Sequence, residues 1–137
     1  VYHRGLAHLR AGAAAWSADF QQALKAAPDD FRPLDALCWG YALEQAPETA
    51  LPYCDQAIAL EEDAGDTRNS RVSRGIVYAQ LQRNAEAIAD FESHLAWLKT
   101  FSATRYNRQN GPKVESWIAA LQRGEQPFDP QTLDSLR

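Results

Sequence analysis

Apolar residues recur every three or four positions along most of the chain, and runs of β-branched residues with a period of two are missing. This spacing predicts amphipathic α-helices and no sheet. Turn residues and helix breakers divide the pattern, chiefly Gly12, Pro28, Pro47 and the polar stretch 61–69. Six predicted helices have apolar stripes that begin at Tyr2, Trp16, Leu34, Ala50, Val72 and Ala87.

Two more helices are predicted near the end of the sequence, after a polar linker that ends in the turn Asn110-Gly111-Pro112. The seventh helix carries one apolar stripe and ends at Gly124. Asp129 and Pro130 have the pattern of an N-cap followed by a first-turn proline, so a short eighth helix begins there. The stripe of the seventh helix is Val114, Trp117, Ile118 and Leu121, and that of the eighth is Leu133 and Leu136.

Three segments of the chain resemble one another, at residues 18–24, 53–58 and 89–95. The interval from Phe20 to Cys54 is 34 residues, and that from Cys54 to Phe91 is 37. A period near 34 is typical of stacked helical hairpins, each of which buries one face against its neighbour. We therefore predict an all-α fold with repeats at about 1–30, 31–66 and 67–100, followed by a linker, capping helix and tail at 101–137.

The three repeats resemble the tetratricopeptide repeat family. The third copy carries the resemblance best, and the first two are similar to it at Gly5, Phe20, Cys38 and Cys54. This resemblance implies a right-handed superhelical stack and a non-enzymatic role in protein–protein interaction, without a cofactor. The matching residues of the third copy are Gly75, Tyr78, Leu81, Ala87, Ile88, Phe91 and Leu95, whereas His94 stands where the family prefers alanine.

In this family the first helices of the repeats line a concave groove, so we expect a peptide or partner helix to bind there. Trp39 follows Cys38 and therefore turns away from the core of its hairpin. An apolar and aromatic stripe with polar ends suits such a ligand, and tryptophan is common among residues that dominate binding energy. The predicted partner-binding residues are Arg10, Asp35, Trp39, Leu43, Val72, Ile76 and Gln80.

Two alternatives to an open groove follow from the same residues. In the first alternative, Trp39 packs against the next repeat or under the tail. The sequence supports this packing role of Trp39 as well as it supports a role in partner binding. In the other, the tail itself fills the groove through Phe128, Leu133 and Leu136. The lysine- and asparagine-rich clamp of chaperone-binding members is not reproduced, because Tyr2, Leu6 and Ser73 fall near its positions. Capture of a peptide carboxylate is therefore not expected of the groove.

Cys38 and Cys54 are the only cysteines, and both fall on the predicted core of the middle hairpin. A disulfide needs Cα atoms within about 7 Å, and packed helix axes lie ~8–10 Å apart. We therefore predict two buried free thiols that act as small apolar side chains. Their spacing is typical neither of a zinc site nor of a redox pair.

The net charge of −4 combines an acidic first half with a mildly basic second half. Neither half has the density of positive charge that nucleic-acid binding requires. Arg68, Arg71 and Arg74 line up on one helix flank. They grip an acidic ligand, pair with Asp63, Asp66 or the acidic first half of the chain, or form a solvated face.

Catalytic motifs are missing from the sequence: there is no phosphate-binding loop, nucleophile elbow or zinc-protease motif. The three histidines are scattered, so we expect no metal site, and we expect His8 to be a packed, hydrogen-bonded core residue.

No apolar run reaches the roughly 18 residues of a membrane span. The chain starts at Val1 and has no methionine, so we expect a fragment or processed form of unassigned location.

A second functional hypothesis is that the chain is a structural or oligomerisation domain of a longer membrane-anchored or multidomain protein. The uneven charge distribution favours either head-to-tail association between copies or an extended polar ligand, unless it reflects solvated helix faces alone. Under either functional hypothesis, the apolar stripe of the seventh helix is expected to cover the exposed face of the last hairpin.

Overall fold

The computed structural model describes residues 2–12, 15–64, 70–105 and 110–137, with only the backbone described at 63–64 and 101–105. These residues form eight α-helices and no strand, which confirms the all-α prediction. In chain order the helices are α1 (Tyr2–Arg10), α2 (Trp16–Ala26), α3 (Phe31–Leu43), α4 (Pro47–Ala64), α5 (Arg71–Gln80), α6 (Asn84–Arg105), α7 (Gly111–Gln122) and α8 (Pro130–Ser135).

The helices pack mainly against their neighbours in sequence. The closest pairs are α1 with α2, α3 with α4, and α5 with α6, so the first six helices form three hairpins. Adjacent hairpins meet through α2 with α3 and α4 with α5, and also through the first helices, α1 with α3 and α3 with α5. Helix α7 packs on α6 and buries Val114, Trp117 and Leu121, as its predicted stripe requires.

Two helices are longer than the sequence pattern indicated. Helix α4 continues through the predicted start of the loop at Glu61, because this side chain is buried and accepts hydrogen bonds from the backbone N–H and the hydroxyl of Ser70. Burial raises the pKa of Glu61. Helix α6 continues into the predicted linker as far as Arg105. The rest of the predicted loop, 65–69, and the linker residues 106–109 lie outside the described residues.

Each outer hairpin is closed by a phenylalanine ring that packs on a glycine. A Cβ atom on Gly5 would lie 3.0 Å from the ring of Phe20, and one on Gly75 would lie 2.6 Å from the ring of Phe91. Both rings are fully buried. A side chain at Gly75 would require the Phe91 ring or its helix to shift, and one at Gly5 would press on the Phe20 ring, so glycine fits both positions best.

The middle hairpin has a disulfide bond at this position. Cys38 and Cys54 are joined, with their Cα atoms 4.9 Å apart, so the prediction of two free thiols was wrong. Packed helix axes lie ~8–10 Å apart, but each Cα atom lies ~2.3 Å from its own axis. Cα atoms on facing sides of two helices are thus roughly 3–5 Å apart, within reach of a disulfide.

A buried aspartate also recurs in the two outer hairpins. Asp19 is 5% exposed and accepts hydrogen bonds from Arg4 and His8, at 2.8 and 2.6 Å. Burial alone would raise the pKa of Asp19, but these two partners lower it. Asp90 is likewise 5% exposed and accepts two hydrogen bonds from Arg74.

The hydrogen bond of His8 and the ion pairs of Arg71 and Arg74 test two expectations from the sequence. His8 is hydrogen-bonded as predicted, but its side chain is 37% exposed, so it lies at the edge of the core. Arg74 pairs with Asp55 as well as Asp90, and Arg71 pairs with Glu62. The pairing alternative is therefore confirmed for these two arginines, whereas Arg68 lies outside the described residues.

Candidate functional site

The C-terminal tail, residues 124–137, lies across the face formed by α1, α3 and α5, which we call the first-helix face. Phe128 is 5% exposed and Leu133 is 1% exposed. Both belong to the same buried apolar cluster as Leu9, Leu43 and Ile76, which come from the three first helices. The tail therefore covers the centre of the face on which the sequence placed a partner.

Polar contacts hold the tail at both ends. The Gln126 side-chain amide donates a 2.8 Å hydrogen bond to the carbonyl oxygen of Ala79, at the end of α5. At the other end, Nη1 of Arg137 donates to the carbonyl oxygen of Leu9, at the end of α1. The tail thus reaches from the third hairpin to the first.

Helix α8 is the ordered centre of the tail. Its N-cap, Asp129, accepts a 2.7 Å hydrogen bond from the backbone N–H of Thr132, and contacts of this kind lower the pKa of Asp129. Pro130 occupies the first turn, where a missing N–H has no cost. This cap fixes the start of α8, from which Leu133 points into the buried cluster.

Aromatic packing anchors the tail to the last hairpin. The Phe128 ring lies 5.0 Å from the ring of Trp117 on α7 and 6.1 Å from the ring of Phe91 on α6, measured between centroids. Phe91 and Trp117 are also in contact, with centroids 5.6 Å apart. The tail, the capping helix and the third hairpin therefore share one aromatic cluster.

The predicted binding residues differ in accessibility. Leu43 and Ile76 are buried, and Arg10 is exposed at the end of α1. Gln80 donates a hydrogen bond to the carbonyl oxygen of Ala42, which ties α5 to α3. The other predicted residues are half-buried, namely Asp35, Trp39 and Val72. Their role in binding a partner stays a prediction.

Open pockets remain on either side of the tail. One of about 520 Å³ lies between Leu43, Glu44 and the tail residues Pro130 and Asp134. Another of about 440 Å³ lies between Gln45, Gln80 and the tail residues. Both are lined mainly by polar side chains, so they suit the polar ends of a ligand better than its apolar centre.

A third pocket, of about 240 Å³, lies where Trp39 and Val72 face the start of α7 and the tail residue Leu136. His94 and Lys113 line it as well. We did not expect these two residues at the site from the sequence. The available signals were a histidine at a position where the family prefers alanine, and a lysine directly before the apolar stripe of α7.

Metal-ligating clusters and helices that could span a membrane were both looked for among the residues that the structure describes. No group of three His, Cys, Asp or Glu side chains there is arranged to hold a metal ion. None of the helices described is both long and apolar enough to cross a membrane.

Comparisons of the chain with protein-family models, with curated proteins and with solved structures found no match.

Proposed function

We propose that this protein is a tetratricopeptide-like interaction scaffold, in which three stacked hairpins present the first-helix face to a peptide or helix of a partner protein. The main support is the tail itself. A short amphipathic segment with buried Phe128 and Leu133 occupies this face, and that is the kind of ligand that a helix-binding groove accepts.

The tail also indicates the chemistry of the partner. It inserts an aromatic and an aliphatic side chain and hydrogen-bonds to the carbonyl oxygens of Leu9 and Ala79, at the ends of α1 and α5. A partner segment with one aromatic and one or two leucine anchors would meet the same apolar surface. Such a segment competes with the tail for Leu43 and Ile76, and it meets Trp39 and Val72 where they are half-buried.

The test is recovery of a partner from lysate of the source cells, using the full chain as bait. We expect Trp39→Ala to weaken binding of this partner by about 2 kcal/mol or more, because a tryptophan at such a surface commonly dominates the binding energy. Ile88→Ala is the matched control, since Ile88 is also half-buried but lies on α6. Equal affinity of both variants at unchanged melting temperature would remove Trp39 from the site.

Competition by the tail sequence separates specific from adventitious capture. A synthetic peptide of residues 125–137 should displace the recovered partner, because both use the first-helix face. The same peptide with Phe128→Ala and Leu133→Ala should not displace it, since these two residues are the buried anchors of the tail. Displacement by neither peptide would argue against a shared surface.

A structural or oligomerisation role is the second candidate, and coverage of the first-helix face by the tail favours it. With Leu43 and Ile76 already buried, the apolar centre of the face is filled within one chain. Light scattering over a range of protein concentrations tests this role. A molar mass that stays at the monomer value at high protein concentration would argue against self-assembly. A molar mass that rises with concentration would argue against a monomeric receptor.

A further inference from the structure

The 240 Å³ pocket lies at a junction of four helices and the tail. Trp39 of α3, Val72 of α5, and Val114 and Trp117 of α7 give it apolar and aromatic walls, and Leu136 of the tail completes them. Drug-sized ligands fill pockets of roughly 300–1,000 Å³. This pocket therefore has the size for a molecule with a single ring.

His94 is the polar group buried at this pocket. Its residue is 9% exposed, and its Nδ1 atom is buried without a hydrogen-bond partner among the described residues. The imidazole stacks on Trp97, with ring centroids 5.7 Å apart and planes 27° from parallel, which fixes its orientation. Buried polar atoms are normally satisfied, and this one belongs to a residue that lines the pocket.

The charge of the lining residues decides the sign of a ligand that would fit the pocket. Lys113 lies at its exposed rim, and Asn110 adds a side-chain amide. No Asp or Glu is among the described side chains that line it. Burial lowers the pKa of His94 to about 4, so at neutral pH the imidazole is uncharged and one ring nitrogen can donate a hydrogen bond. The pocket therefore offers one cation and neutral donors.

We infer that this pocket binds a small carboxylic acid with one aromatic ring, with the ring between Trp39 and Trp117 and the carboxylate towards Lys113 and His94. Well-formed apolar pockets with a few convergent polar groups are the usual sites of small ligands. The inference does not rest on the proposed scaffold role, because α7 and the tail, outside the repeats, form much of the pocket.

Titration of the full chain with phenylacetate tests the inference, and nuclear magnetic resonance provides the readout. We expect saturable shifts of the His94 ring nitrogens and of the indole N–H signals of Trp39 and Trp117. Phenylacetamide has the same ring without the charge, and we expect it to bind at least about tenfold more weakly, as loss of a charge-assisted hydrogen bond implies. Acetate, which lacks the ring, should cause no saturable shift.

A pair of lysine variants locates the anion. Lys113→Gln should weaken phenylacetate binding several-fold without changing the melting temperature, because Lys113 is exposed. Lys25→Gln, on the exposed surface of α2, should leave the affinity unchanged. Absence of any saturable shift overturns the inference, and so does equal affinity for the acid and the amide. An equal loss of phenylacetate affinity in both lysine variants also overturns the inference, because the effect is then one of net charge.

Discussion

His94 lies in an environment that favours its neutral form. Its imidazole is buried against Trp97, and His94 lines a pocket in which Lys113 is the only cation among the described lining residues. Burial holds the pKa of His94 at about 4, below the value of about 6.5 expected in the unfolded chain. The folded state therefore resists protonation of this residue, and the resistance appears as a dependence of stability on pH.

We expect the contribution of His94 to stability to be complete above pH 6.5 and to be lost as the pH falls towards 4. Between these limits the unfolded chain binds a proton that the folded chain does not, which costs roughly 3 kcal/mol at the acid end. Denaturant unfolding at a series of pH values should show this extra loss in the wild type and not in His94→Gln. His3→Gln, at an exposed site, should follow the wild type. Parallel curves for all three proteins would contradict the expectation.

Individual residues were the least predictable part of the molecule. The sequence indicated that Leu43 and Ile76 belong to the first-helix face, and the structure places both in its apolar cluster. It gave no sign that His94 would line the same pocket as Trp39, because these residues come from α6 and α3 and are brought near one pocket only by packing. Helical periodicity reports which face a side chain is on, and not what covers that face.

The two helices of a hairpin are held in close contact in two different ways in this protein. In the outer hairpins a phenylalanine ring lies on a glycine, and in the middle one Cys38 and Cys54 are bonded at the corresponding positions. The sequence already aligned these positions across the three repeats. The bond itself was missed because the distance between helix axes was used in place of the distance between facing Cα atoms.

Replacing both cysteines by alanine should lower the free energy of unfolding by about 3 kcal/mol, the value for a cross-link that closes a loop of this length. The pair Cys38→Gly with Cys54→Phe should recover part of this loss, because it recreates the ring-on-glycine contact of the outer hairpins. Denaturant unfolding with and without a reductant measures both effects. Reductant should destabilise only the wild type, and a wild type that is insensitive to reductant would contradict a stabilising disulfide.

Across the whole molecule, the number and order of the helices followed from the sequence, whereas the course of the tail did not. Phe128 and Leu133 were identified as apolar residues able to fill the groove, but an open groove fitted the pattern equally well. The choice depends on contacts between residues far apart in sequence, such as Gln126 with Ala79. Local periodicity carries no information on such contacts.

Two truncations separate the roles of α7 and the tail. Ending the chain after Gly124 removes the buried Phe128 and Leu133, and should destabilise the protein by roughly 1.5–3 kcal/mol for each of these side chains. Ending it after Gly111 also removes the stripe that covers Phe91, so we expect an insoluble or associating protein. Light scattering and denaturant unfolding distinguish the two cases. If the chain that ends after Gly111 is soluble, monomeric and unfolds cooperatively, then α7 is not a required cap.

The hydrogen bond from Arg137 to the carbonyl oxygen of Leu9 joins the last residue of the chain to its first helix. In a linear array of repeats each unit contacts only its neighbours, so the terminal units can fray independently. Here the tail runs back over the middle hairpin to the first, so opening of α1 breaks contacts made by the tail. The first and third hairpins are thereby coupled through the tail, and we expect α1 and the tail to open together.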